Sequence, residues 1–98
     1  MEIIKTSNGN ELTLALKGEL NVANSRELKN IISTSLNGVK RLIFDFTELS
    51  YISSSGLRIL LIAQKVMLKQ GEMIVRGVNE DVMDVFVITG FKDILNIQ

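Results

Sequence analysis

The sequence predicts an α/β fold, a mixed β-sheet with helices packed on it, in the order β-β-α-β-α-β-α-β. Three observations carry that expectation. An alternating segment follows an Asn-Gly turn signal, long segments show helical apolar spacing, and short apolar runs separate them. A chain of 98 residues fits one domain, residues 1–98, with one core.

The elements follow in order. "MEIIKTSNGNELTLALKG" reads as a hairpin turning at Asn8-Gly9, residue types that tolerate positive φ. In its second arm Leu12, Leu14 and Leu16 point to one face. "NVANSRELKNIISTSLNG" reads as a helix, with Leu28, Ile31, Ile32, Ser35 and Leu36 at helical spacing. Asn21 or Asn24 is its N-cap, and Glu27 stands where a capping box with Asn24 needs it. "RLIFDF" suits a central strand covered on both faces, followed by a loop, "TELSYIS". Gly56–Gln70 reads as a long helix stopped by Gly71. "EMIVRG" is the next strand. "NEDVMDVFVITG" is a helix capped by Asn79 and ended by Gly90, and a short strand around Ile94–Ile97 closes the fold. The unit from Leu42 to Val75 should be a right-handed parallel crossover.

Composition excludes several functions. Apolar residues at 46% against 22% charged mark a globular chain rather than a disordered one. Net charge is zero, so no broad attraction to nucleic acid or to an anionic membrane is built in. Cys and His are both absent. Thiolate catalysis, disulfides, the commonest zinc ligands and imidazole acid–base chemistry are therefore removed, and no cofactor is implied. A cysteine-free chain fits the cytoplasm. The longest apolar tract, Ile59–Ala63, is far too short to span a bilayer, and "MEIIKTSNGN" does not read as a signal peptide.

The stretch "SYISSSGLRILL" places Ser53, Ser54 and Ser55 directly ahead of Gly56 and an apolar helix. A serine nucleophile needs a base, and neither a His nor an S-x-x-K spacing supplies one. The stretch lacks the glycine pattern of a phosphate-binding loop. One serine suffices to cap the helix, for about 1 kcal/mol. Capping alone and a functional loop both remain open for the other two. On a helical wheel Leu60, Ala63 and Met67 form the buried centre, flanked by Leu57, Ile59, Val66 and Leu68. The opposite stripe carries Arg58, Lys65 and Lys69, with Ile62 among them.

"RLIFDFTELSYISSSGLRILL" closely resembles the signature of STAS domains, specifically the bacterial anti-sigma factor antagonists. "KGELNVANSRELK" and "VITGFKDIL" resemble that family's first-helix segment and its ending, so the likeness covers essentially the whole chain. The resemblance implies a cytoplasmic regulatory module, not an enzyme. Such a module binds an anti-sigma factor that is itself a serine kinase, and thereby frees a sigma factor for transcription. The kinase phosphorylates a serine of the motif and a serine phosphatase reverses this. The acceptor carries over to Ser54, with Ser53 and Ser55 as alternatives. The implied partner surface is Asn21, Ser53, Ser54, Ser55, Gly56, Arg58, Ile62 and Lys65, with Gly56 keeping the loop open to a partner's backbone. Neither nucleic acid nor membrane is an expected partner. Ser53 and Asn21 stand where the family carries Asp. They keep open a second reading, a constitutive, non-phosphorylated STAS scaffold or a subunit of another complex, such as one for lipid transport.

Overall fold

The computed structural model describes residues 1–98. Its elements are β1 (Glu2–Asn8), β2 (Glu11–Leu20), α1 (Ser25–Ser35), β3 (Arg41–Ile52), α2 (Ser54–Gln70), β4 (Glu72–Arg76), α3 (Glu80–Thr89) and β5 (Asn96–Ile97), with a 3-10 turn at Phe91–Asp93. The element order is the expected one. Asn8 pairs with Glu11, so the hairpin tip is Gly9-Asn10, and Gly9 alone takes a positive φ of 62° there.

One five-stranded sheet runs β1-β2-β3-β4-β5. The first pair is antiparallel and the other three are parallel. Each parallel step moves in the same direction through one helix. Right-handed crossovers of that kind put α1, α2 and α3 on a single face. Leu14, Leu16, Phe44 and Phe46 of the sheet meet Leu28, Ile32, Leu60, Ala63, Met67 and Phe86 of the helices in one buried cluster. Burying each large side chain contributes about 1.5–3 kcal/mol.

Four local expectations are corrected. β3 is not covered by helices on both faces. Ile43 and Ile74 are buried yet lie outside the helix-packed cluster, shielded by neighbours within the sheet. "TELSYIS" is not a loop, because β3 continues to Ile52. The β2–β3 register shifts twice, between Ala15 and Lys17 and between Gly18 and Glu19, each shift adding one residue to β3. Bulges of this kind break the two-residue period. Phe46, Leu49 and Ile52 are therefore all buried at a spacing of three. At the start of α1 Asn24 is the N-cap residue, one of the two expected, but its side chain does not bond an amide of the helix. Instead Asn21 N–H donates to Asn24 Oδ1 (2.9 Å) and Asn24 N–H to Asn21 Oδ1 (3.1 Å), closing the turn ahead of the helix, and no capping box forms. Leu68 does not flank the buried face of α2; it is 71% exposed.

Two consequences can be measured. Met67 is completely buried, so Met67→Asp places an unpaired charge in the core and should abolish the cooperative thermal transition. On the open face Thr47 donates to Asp45 Oδ1 from its hydroxyl (2.6 Å) and its amide (3.0 Å). The hydroxyl first, then the amide, hold the Asp45 carboxyl below its ordinary range. A depressed folded-state pKa adds stability above the unfolded value of about 3.9, and that stability is lost as pH falls through the folded value. Asp45→Asn should therefore melt below the parent at neutral pH. The two melting curves should converge as the solution is acidified through the folded-state value of Asp45.

Candidate functional site

The serine run lies where the carboxyl ends of β2 and β3 meet. Leu20 pairs with Ile52, and Ser53 N–H donates to Leu20 O (2.8 Å), so the sheet leads directly into α2. Ser53 is extended (φ −87°, ψ 171°), and its hydroxyl accepts from Gly56 N–H (3.2 Å) while its carbonyl accepts from Leu57 N–H (3.0 Å). It is the N-cap, and it is only 7% exposed. The helix consequently starts at Ser54, two residues before the expected Gly56.

The three serines thus have three environments. Ser53 faces inward as a cap, Ser54 is exposed in the first turn, and Ser55 is half-buried. Ser55 turns toward α1. There it lines a hollow of about 250 Å³ with Val22, Arg26, Lys29, Arg58 and Ile62. Ser55, Arg58 and Ile62 follow one helical stripe, as their spacing of three and four requires. Lys65 is exposed but does not line this hollow. Asn21 is half-buried, and its side chain is engaged in the turn before α1.

Gly56 packs closely against the sheet. It is buried, and a Cβ there would stand 2.7 Å from the Leu20 side chain and 2.9 Å from that of Ile52. It lies in the first turn of α2, as expected, and lets that turn sit on the ends of two strands. Ser53 is buried, and its hydroxyl is engaged by the helix. The arrangement therefore brings together Ser54, Ser55, Arg58 and Ile62, with the Asn21 turn alongside.

Sequence reasoning missed Val22, Arg26 and Lys29 on α1 and the turn before it. Their spacing of four and three is itself a helical stripe, and that signal was available. The ion pairs of the chain are Lys17–Glu48, Arg41–Glu11 and Arg41–Glu72. Arg26, Lys29 and Arg58 belong to none of them. No cluster of three or more His, Cys, Asp or Glu side chains could hold a metal ion.

The packing of Gly56 can be tested directly. Gly56→Ala forces Leu20 or Ile52 to move and should cost about 1–3 kcal/mol in chemical denaturation, with Gly56→Val worse. A Gly56→Val variant as stable as the parent would show that this turn does not bear on the sheet.

A STAS domain model matches residues 2–98. The Bordetella bronchiseptica protein named "Putative anti-sigma factor antagonist BtrV" is 36% identical over 85 residues, covering 85% of this chain and 73% of that protein. The fold is similar to that of the anti-sigma factor antagonist SpoIIAA in its unphosphorylated form (TM-score 0.78, 20% identity, 99% of this chain and 87% of that one). Phosphorylated SpoIIAA from Bacillus gives a TM-score of 0.78 at 21% identity, over 99% and 91% of the two chains. The Thermotoga maritima protein tm1081 gives 0.88 at 21% identity, over 97% and 84%. The chain belongs to the STAS domain family, among its anti-sigma factor antagonists.

Proposed function

We propose that this chain is a phospho-switchable binding module rather than an enzyme. Unphosphorylated, it binds an anti-sigma factor that is itself a serine kinase, and so frees a sigma factor. Phosphate on Ser54 ends that binding, and a serine phosphatase restores it. One observation carries the reading: Ser54 is exposed in the first turn of α2, beside a Ser53 hydroxyl already buried as the cap. That burial counts against Ser53 as an acceptor. The anti-sigma factor antagonist name of BtrV, and a SpoIIAA known in both phosphorylated and unphosphorylated forms, support the reading.

The physics of the switch is local. Phosphoserine carries about −1.5 to −2 charge at neutral pH. At a helix N-terminus that charge meets free amides and the positive end of the macrodipole, so the fold tolerates it. A partner that had packed on a neutral hydroxyl must instead desolvate and face a dianion. A loss of about 3 kcal/mol lowers affinity roughly a hundredfold. The contact surface on this reading is Ser54 and Ser55 with the Asn21 turn, Arg58 and Ile62, and Lys65 at the rim.

Ser54→Ala should fold and bind the anti-sigma factor as the parent does. Ser54→Asp should melt like the parent but bind more weakly, since a carboxylate suits the helix end and not the interface. Incubation of the parent with the kinase and ATP should add one phosphate by intact mass, and Ser54→Ala should gain none. Equal binding by the two variants, or a parent that takes up no phosphate, would favour the constitutive scaffold. Ser53 and Asn21, engaged here in a cap and a turn, are the features consistent with that second reading.

A further inference from the structure

Arg26, Lys29 and Arg58 converge on the hollow between α1 and α2. None of them is ion-paired, and no acidic side chain lines the hollow. The chain as a whole is neutral, so this is a local concentration of positive charge and not a property of the surface at large. The hollow does not stop at Lys29 and Ile62. Those two residues are shared with a second depression of about 420 Å³, whose walls include Ile32, Leu36 and Val66. Gln70 closes its far end by donating from Nε2 to Leu36 O (2.6 Å) and Val39 O (2.7 Å). The result is one groove along two packed helices, cationic near the serine turn and apolar farther down. At its cationic end Val22 is 71% exposed and Ile62 38% exposed, so apolar surface stands ready there too.

We infer that this groove docks an acidic amphipathic helix of the partner protein. Asp and Glu side chains of that helix meet Arg26, Lys29 and Arg58, and its apolar side chains seat between Ile62 and Val66. The inference rests on the antagonist reading and specifies the chemistry of the partner. Charge complementarity selects an acidic occupant. The exposed apolar side chains Val22 and Ile62 select a protein, because a nucleic acid backbone would leave them uncovered. An extended segment finds no ladder to join, since the backbone groups of both walls are already bonded within helices. α1 has 11 residues, about 16 Å, which matches a helix of about three turns. The depressions hold a few side chains rather than a whole helix, as helix-in-groove recognition requires. A phosphate on the neighbouring Ser54 would then act twice, repelling the partner's carboxylates and drawing on the same cations.

The test uses the folded chain, labelled with 15N, and a synthetic amphipathic peptide with Leu on one face and Glu on its flanks. A second peptide has Lys for each Glu. The acidic peptide should shift the amide signals of Arg26, Lys29, Ile62 and Val66, and the basic one should not. The double variant Arg26→Glu, Arg58→Glu changes only exposed side chains. It should weaken the acidic peptide about tenfold or more and improve binding of the basic one. Equal shifts from both peptides, shifts confined to the open sheet face, or tighter binding of anionic vesicles or duplex DNA at the same residues would overturn the inference. The same double variant separates this inference from the antagonist reading. If it binds the anti-sigma factor as the parent does, the groove is not the docking site, although the antagonist reading stands. If the acidic peptide fills the groove while the parent binds no anti-sigma factor, the groove stands and the antagonist reading falls.

Discussion

The close approach of Gly56 to Leu20 and Ile52 is the constraint on which the functional end of the molecule depends. Only a residue without a side chain lets the first turn of α2 rest on the ends of β2 and β3. Once it does, the backbone of Ser53 reaches Leu20 and its hydroxyl reaches the Gly56 amide. The next residue is then turned outward. Two serines adjacent in sequence thereby receive opposite tasks: one completes the helix and the other meets solvent. Here the Ser53 hydroxyl is held in the cap, and the neighbouring Ser54 is the one left at the surface.

The same geometry sets the distribution of surfaces. Three crossovers in one direction leave one face of the sheet without helices. That face carries Asp45, held by Thr47, and the Lys17–Glu48 pair. The helical face carries the groove between α1 and α2, whose cations are unpaired. Charge is thus neutralised locally on the open face and left free beside the serine turn. A charge placed on that turn would sit at the surface, away from the core, which lies beneath α2 at Leu60, Ala63 and Met67.

Much of this was legible in the sequence, and the gaps have physical causes. The buried face of α2 followed from helical spacing alone, as did the Asn79 cap, which accepts from Val82 N–H (2.8 Å), and the Gly90 stop at φ 80°. These are local features, settled within a few residues. The far half of β3 was hidden because two bulges replace its alternation with a spacing of three. Leu68 was assigned to the wrong side because an apolar residue at the margin of a helical face is not bound to be covered. The serine motif and its resemblance pointed to this turn, but which serine faces out depends on Leu20, a contact between distant parts of the chain. The contribution of α1 to the groove is likewise tertiary. Arg26 and Lys29 gain meaning only when α1 packs beside α2.

The central claim is that the capped turn stays intact while charge is added next to it. Native-state amide hydrogen exchange, compared between the unmodified chain and a chain carrying phosphate at Ser54, tests this most directly. The Gly56 and Leu57 amides, both bonded to Ser53, should keep their protection after phosphorylation, as should core amides such as that of Phe44. Loss of protection at Gly56 and Leu57, or throughout the sheet, would contradict the account. It would mean that phosphate acts by unfolding the turn and not by altering the surface it presents.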